Sequence, residues 1–177
     1  MSKQTFIFIG LVGLAAVGSV VGTFVFGQKI LVANQLPHVY SRVPDVVLRT
    51  IDGRNTHVSD FLGKPLIVTL WAPWCSSCPD ELHNLSLLQR ELGDKIVVVV
   101  ITRDTAPDQT QKAADAFDIN GSLVMVSDTS DAFYQQIGGF AMPETLFVDQ
   151  NGMIQGHRRG SMTLEEMRRR AQDSFHW

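Results

Sequence analysis

The sequence predicts an α/β domain, with helices on both faces of a mostly parallel sheet, preceded by an apolar N-terminal segment. Apolar runs of strand length alternate with segments whose apolar residues recur at helical spacing, a pattern typical of strands joined by crossover helices. One run, residues 96–101, consists of six β-branched residues, as expected for a strand buried on both faces. The N-terminal segment is predicted by the absence of charge between Gln4 and Gln28.

The composition limits what the protein can do. Its 177 residues are 45% hydrophobic, too apolar for a disordered chain, and two cysteines are too few for a disulfide-stapled miniprotein. Residues 30–177 carry 13 basic and 18 acidic side chains. This acidic balance argues against nucleic acid as a partner, because phosphate contacts require a basic face.

The first 29 residues predict a membrane anchor. As a helix, the almost wholly apolar residues 5–26 span about 33 Å, enough to cross a hydrocarbon core of about 30 Å. A cleaved signal peptide is the alternative, with Ala15, Ala16 and Gly18 near its cleavage site, but its apolar stretch is typically only ~7–15 residues long. We expect the anchor at 1–29, a polar tether at 30–43 and the folded domain at 44–177.

The first half of the domain is predicted to contain an N-terminal hairpin, a strand, a helix and a second strand. These elements cover residues 46–58, 66–71, 81–92 and 96–101. The hairpin prediction depends on the turn signal Asp52-Gly53. The helix is predicted by leucines at helical spacing, and Gly93-Asp94 ends it.

The second half of the domain is predicted to alternate in the same way. Its elements are a helix, a strand, a short helix, a hairpin and a last helix, at residues 108–117, 123–126, 132–137, 145–157 and from 163 onward. Asp128 or Ser130 is expected to cap the short helix, and Thr163 the last one. The hairpin turn is predicted at Asn151-Gly152. Arg158-Arg159 is interpreted as part of a solvated face.

Both cysteines lie between the strand at 66–71 and the following helix. A thiol in the first turn of a helix faces unpaired backbone N–H groups and the positive end of the helix dipole, which stabilise the thiolate. We therefore expect Cys75 to be the nucleophile. Cys78, one turn later, is expected to resolve the mixed disulfide that Cys75 forms.

Other uses of two cysteines fit less well. A structural disulfide across two residues closes too small a loop to stabilise the chain much by entropy. A zinc site needs about four ligands, and the chain has no second cysteine pair. Covalent haem requires a histidine directly after the second cysteine, where Pro79 stands. We expect no metal and no cofactor besides a redox-active Cys75–Cys78 disulfide.

The segment Trp71-Ala72-Pro73-Trp74-Cys75-Ser76-Ser77-Cys78 resembles the thioredoxin signature. An anchored chain with Glu81 three residues after Cys78 resembles the TlpA, ResA and CcmG branch in particular, which includes the cytochrome c maturation reductases. Residues 139–149 are similar to the family segment that carries a cis-proline opposite the cysteines. The resemblance covers residues 44–173 and implies a thioredoxin-like fold with a central mixed sheet flanked by helices.

The resemblance also implies how substrate is bound. Pro143 is expected to be cis and to shield the sulfurs. The Met142 backbone is then free to pair with an extended substrate segment. Trp74, beside Cys75, is expected to offer a contact surface.

Proton transfer is expected to differ from that of cytoplasmic thioredoxin. Thr69 stands where thioredoxin has a buried Asp, and its hydroxyl cannot transfer a proton at neutral pH. Glu81 is the expected substitute, a partly buried carboxylate with a raised pKa that takes the proton from Cys78. The alternative is an exposed first-turn glutamate favoured by the helix dipole. Glu144 is expected to satisfy backbone donors near Pro143.

These expectations predict a thiol-disulfide oxidoreductase that works outside the cytoplasm. The resemblance implies a single-pass protein of the bacterial inner membrane whose catalytic domain faces the periplasm or the cell exterior. It is expected to reduce disulfides in protein substrates such as apocytochrome c. Because the compartment is oxidising, a transmembrane thiol carrier is the expected electron donor.

Two other functions stay open at the level of sequence. A disulfide oxidase or isomerase uses the same cysteines in the opposite direction, and a reduction potential of about −180 mV or higher would indicate it. A copper-site assembly factor presents the dithiol to metal, and stoichiometric binding of copper by both thiolates would indicate that function. Ser76-Ser77 matches neither thioredoxin nor the strong oxidases and leaves the potential open.

Overall fold

The computed structural model describes residues 41–116 and 123–177, in which one sheet of seven strands is flanked by α-helices. The strands are β1 Leu48–Thr50, β2 Asn55–Thr56, β3 Leu66–Trp71, β4 Val97–Arg103, β5 Val124–Asp128, β6 Glu144–Val148 and β7 Ile154–Arg159. The α-helices are α1 Cys78–Leu92, α2 Pro107–Ala116, α3 Ala132–Gln136 and α4 Leu164–Phe175. Short 3-10 turns cover Val58–Phe61 and Gly93–Lys95.

The sheet is mixed, with the strand order β2-β1-β5-β4-β3-β6-β7. The neighbours β3, β4 and β5 run parallel. The other strand pairs in the described residues are antiparallel. The expectation of a mostly parallel sheet is therefore wrong, because each hairpin adds two antiparallel strands to one edge. The mixed sheet implied by the family resemblance is confirmed, and so is the N-terminal hairpin.

The buried strand β3 separates two apolar cores, because its successive side chains point to opposite faces of the sheet. Ile67 and Trp71 face a core that includes both cysteines and the inner sides of α1 and α4. Leu66, Val68 and Leu70 face a second core that is shared with β1 and α3. Every side chain of β3 is buried, as the apolar run predicts.

The helix ends follow the capping signals in the sequence. The Asp128 carboxylate accepts hydrogen bonds from the backbone N–H groups of Ala132 and Phe133, so the predicted cap of α3 is confirmed. Thr163 Oγ1 accepts from the Glu166 N–H at 3.2 Å and caps α4 as predicted. Helix α1 begins at Cys78, three residues before the first residue predicted from leucine spacing.

The predicted membrane anchor and residues 30–40 of the predicted tether lie outside the described residues. Within the described ranges, no helix has the length and apolar character needed to cross a bilayer. The last residues of the predicted tether run beside β7. The Ile154 N–H donates to the Ser41 carbonyl at 2.8 Å, and the Val43 N–H donates to the Gly152 carbonyl at 2.9 Å.

Candidate active site

A tight turn after β3 brings the two cysteines to the start of α1. The Cys75 N–H donates to the Ala72 carbonyl at 3.0 Å, and the Cys78 N–H donates to the Cys75 carbonyl at 3.3 Å. Cys78 is the first residue of α1, whereas Cys75 lies in the preceding turn. The expectation that Cys75 occupies the first turn of the helix is therefore wrong. The turn still places both sulfurs at the helix N-terminus, beside the end of β3.

Cys75 and Cys78 form a disulfide, with their Cα atoms 5.5 Å apart. Cys75 is 8% exposed and Cys78 is fully buried. Of the two cysteines, only Cys75 therefore retains any solvent-exposed surface. Ser77 Oγ lies 3.8 Å from Cys75 Sγ, within range of a weak hydrogen bond to sulfur.

The loop that precedes β6 meets the cysteines at the same edge of the sheet. Glu144 pairs with Leu70 in the register of β6 with β3, so Pro143 lies next to the point where β3 ends. The Met142–Pro143 peptide bond is cis, as expected. Met142 packs against the core that contains both cysteines. Within the described residues, the Met142 backbone N–H and C=O form no hydrogen bond with the protein.

Glu81 is completely buried on the inner side of α1. Its Oε1 accepts hydrogen bonds from Thr145 Oγ1 at 2.7 Å and from Thr69 Oγ1 at 3.3 Å. Its Oε2 accepts from the Met162 N–H at 2.8 Å. The alternative of an exposed first-turn glutamate is therefore wrong.

Burial raises the pKa of Glu81, although the hydrogen bonds from Thr145, Met162 and Thr69 act in the opposite direction. The expected raised pKa is confirmed, and the carboxyl keeps its proton to a higher pH than an exposed glutamate does. The sequence showed that Thr69 stands where thioredoxin has a buried Asp, but it did not predict that Thr69 forms a hydrogen bond with Glu81. That contact depends on the pairing of Thr69 with Thr145 across β3 and β6, which only the sheet register supplies.

Glu144 holds the loop in front of Pro143. Its Oε2 accepts from the N–H groups of Phe140 at 2.9 Å and Ala141 at 3.2 Å, as expected for a residue that satisfies backbone donors. Its Oε1 binds His157 Nε2 at 2.6 Å and Arg159 Nε at 3.0 Å. Burial opposes ionisation, yet these hydrogen bonds together hold the pKa of Glu144 below its ordinary value.

Arg159 and Phe140 are site residues that sequence reasoning missed. Arg159 is exposed, as expected for a solvated face, but it also pairs with the buried Glu144 carboxylate and donates from Nη2 to the Gly138 carbonyl at 3.2 Å. Phe140 is 83% exposed, and Trp74 beside Cys75 is 70% exposed. The contact of Arg159 with Glu144 depends on the register of β6 with β7, which the sequence of β7 does not indicate. The position of Phe140, three residues before Pro143, was the available signal for that residue.

Known proteins resemble this chain over the same region. The family model described as Redoxin matches residues 38–173. The thioredoxin-like protein YneN of Bacillus subtilis is 30% identical over 71% of this chain and 74% of its own length. The thiol-disulfide oxidoreductase ResA of Geobacillus kaustophilus is 29% identical over 90% of this chain and 88% of its own length. The thiol:disulfide interchange protein DsbE of Vibrio cholerae is 30% identical, with coverages of 76% and 68%.

Solved structures agree on the fold. StoA from Bacillus subtilis superimposes with a TM-score of 0.60 at 18% identity, over 72% of this chain and 96% of its own. The exposed lipoprotein thioredoxin Etrx1 from Streptococcus pneumoniae gives a TM-score of 0.64 at 23% identity, over 73% of this chain and 99% of its own. At these identities the likeness establishes a thioredoxin-like fold.

Proposed function

The chain belongs to the Redoxin family and is a thioredoxin-like thiol-disulfide oxidoreductase, and from that premise we propose that it reduces disulfides of protein substrates outside the cytoplasm. One observation carries the proposal. The Cys75–Cys78 disulfide lies at the end of β3 with one sulfur reachable and the other buried. A nucleophile and a protected resolving thiol require this asymmetry.

Reduction proceeds by two exchanges. The Cys75 thiolate of the reduced enzyme attacks one sulfur of the target disulfide, and the other target sulfur leaves as a thiolate that takes up a proton. Cys78 then loses its proton and attacks the Cys75 sulfur, which releases the second target thiol. Two electrons pass from the cysteine pair to the target, and the Cys75–Cys78 disulfide is the product.

Glu81 accepts the proton of Cys78 in this proposal. It lies three residues after Cys78 on α1, is buried within the same layer and has a raised pKa, which brings its basicity closer to neutral pH. The Thr145 hydroxyl, 2.7 Å from Glu81 Oε1, orients the carboxylate. Thr69 supplies a second donor but no acid, so Glu81 is the proton acceptor of the pair.

Substrate binding involves the Pro143 loop and the surface beside Cys75. The Met142 backbone groups suit an extended segment that adds to them as a strand, and Pro143 covers the disulfide next to that segment. Trp74 offers an exposed ring beside the nucleophile. Proteins with dithiols or disulfides in extended, accessible segments are therefore the substrate class.

The apolar residues 5–26 support tethering to the bacterial inner membrane, with the catalytic domain facing the periplasm or the cell exterior. In that oxidising compartment a transmembrane thiol carrier reduces the enzyme after each turnover. The resemblance of this chain to the branch that includes the cytochrome c maturation reductases supports apocytochrome c as a substrate.

The variant Cys78→Ser tests this proposal. It keeps the nucleophile but cannot resolve the mixed disulfide, so disulfide-bonded substrates should accumulate as covalent adducts of Cys75. Adducts from growing cells are separated on non-reducing gels and identified by mass spectrometry. We expect proteins with paired cysteines, including apocytochrome c.

The matched control is Cys75→Ser, which keeps the buried thiol and removes the reachable one. It should form no adducts with substrate proteins. Equal adduct patterns from both variants, or no adducts from Cys78→Ser while Cys75 is reactive toward a small thiol reagent, would contradict the proposed function.

A further inference from the structure

We propose that Phe140 determines substrate specificity, because its exposed ring binds an apolar side chain next to the reactive cysteine of an extended substrate segment. This inference rests on the proposed function and names a feature of its substrates. It concerns a residue that takes no part in the exchange of sulfur bonds.

Phe140 is the most exposed large apolar side chain in the described part of the chain, at 83%, compared with 52% for Val47 and 50% for Trp177. Single exposed apolar residues are ordinary on protein surfaces. Phe140 differs from Val47 because hydrogen bonds fix the backbone that carries it, and because Met142, two residues later, packs on the core that contains both cysteines.

Hydrogen bonds fix the Phe140 loop before any substrate arrives. The Glu144 carboxylate accepts from the N–H groups of Phe140 and Ala141. The Gly139 N–H donates to the Tyr134 carbonyl at 2.9 Å. Arg159 binds Glu144 as well as the Gly138 carbonyl, and its Cζ lies 5.8 Å from the centre of the Phe140 ring. A contact residue held in this way loses little conformational entropy on binding.

The position of the Phe140 ring favours an extended polypeptide as the molecule that binds there. Met142 follows Phe140 by two residues, in a loop that bends at residues 141–143, and packs on the core that contains Cys75 and Cys78. A substrate strand paired with the unoccupied Met142 backbone points alternate side chains to one face. One of these side chains, close to the substrate cysteine, comes within reach of the Phe140 ring.

The test compares two disulfide-bonded peptides of equal length, one with leucine and one with serine beside the reactive cysteine. The full chain in detergent is reduced, and the second-order rate constant of its oxidation by each peptide is measured. We expect the wild type to prefer the leucine peptide and Phe140→Ser to lose about tenfold in that preference, the size typical of a truncated contact residue. Phe140→Leu should keep most of it.

Val47→Ser is the matched control, since it removes an exposed apolar side chain at the opposite edge of the sheet. It should leave both rate constants unchanged. Equal thermal unfolding transitions of the variants ensure that loop collapse does not account for the result.

Three outcomes would overturn the inference. If the wild type reacts equally with both peptides but still reduces glutathione disulfide, Phe140 does not determine specificity and the proposed function still holds. If the wild type reduces neither the peptides nor glutathione disulfide, both the role of Phe140 and the proposed function are wrong. A Phe140→Ser variant with unchanged peptide preference and lost self-association in sedimentation would identify a second copy of this chain as the occupant.

Discussion

Three hydrogen-bond donors surround the Glu81 carboxylate inside the protein, two of them threonine hydroxyls and one the Met162 N–H. Burial disfavours the charged form more than these donors favour it, so the pKa rises. The residue types at Cys75, Cys78 and Glu81, and their spacing, were sufficient to nominate them from the sequence. Their environments were not predictable, because the donors come from β3, β6 and the loop before α4.

The pH dependence of stability provides a test of the buried Glu81. The folded pKa lies above the ordinary value of 4.5, so the unfolded chain ionises first as the pH rises. The free energy of unfolding should therefore fall as the pH rises from about 4.5, until the pH passes the pKa of Glu81 in the folded protein. The total fall is about 1.4 kcal/mol for each pH unit by which the folded pKa exceeds the unfolded one. Glu81→Gln should flatten this decline in urea unfolding experiments on the oxidised protein.

Asp80→Asn is the control, because Asp80 is an exposed carboxylate in the same helical turn. Its pH profile should follow that of the wild type. Glu144 affects stability in a different pH range. Because its pKa is lowered in the folded protein, its contribution to stability is lost as the pH falls below about 4.5, whereas the contribution of Glu81 is lost as the pH rises above that value. Identical profiles for wild type and Glu81→Gln would show that Glu81 titrates as an ordinary glutamate.

Among the elements, the loop between α3 and β6 carries the cis Met142–Pro143 bond, and the Glu144 carboxylate binds its backbone N–H groups. Helix α3 ends at Gln136, and the glycine pair Gly138-Gly139 follows it. The structure adds that the Tyr134 ring packs directly against Gly139, with the Arg103 guanidinium 3.7 Å from the ring centre. Gly139 is therefore required for close approach to an aromatic ring, which the sequence pattern alone does not indicate.

The variant Gly139→Ala should destabilise this turn, because the added Cβ would overlap the Tyr134 ring. We expect a loss of about 1–3 kcal/mol in the free energy of unfolding, as for other overpacked sites, measured by chemical denaturation. A double-mutant cycle with Tyr134→Ala serves as the control. If the overlap is the cause, Gly139→Ala costs much less in the Tyr134→Ala background, and an equal cost in both backgrounds would refute it.

In the molecule as a whole, the strand order brings the cysteines and the cis-proline loop together. The cysteine turn follows the interior strand β3, and the cis-proline loop precedes the neighbouring antiparallel strand β6. Residues about 70 positions apart in sequence therefore form one site. The segment Ser41–Val43 pairs with the backbone at the start of β7.

Labelling of intact cells tests the proposed location of the site. In the Cys78→Ser variant, after brief treatment with a reductant, Cys75 should react with a membrane-impermeant maleimide added from outside. In Gram-negative cells the outer membrane is first made permeable. The variant that lacks both cysteines should remain unlabelled. Labelling of Cys75 only after the inner membrane is disrupted would place the domain in the cytoplasm and contradict the proposal.

The alternation of strands and helices, the caps of α3 and α4 and the position of the cysteine pair were predictable from the residues, because each depends on a local pattern or on a motif with fixed spacing. The cis form of Pro143 was implied by the family resemblance. Only the tertiary structure decided that the sheet is mixed, that Glu81 binds Thr69 and Thr145, and that Glu144 and Arg159 fix the loop carrying Phe140. These contacts depend on strand direction and register, which bring together side chains that are far apart in the chain. Local sequence patterns do not specify which strands pair, so they could not predict these contacts.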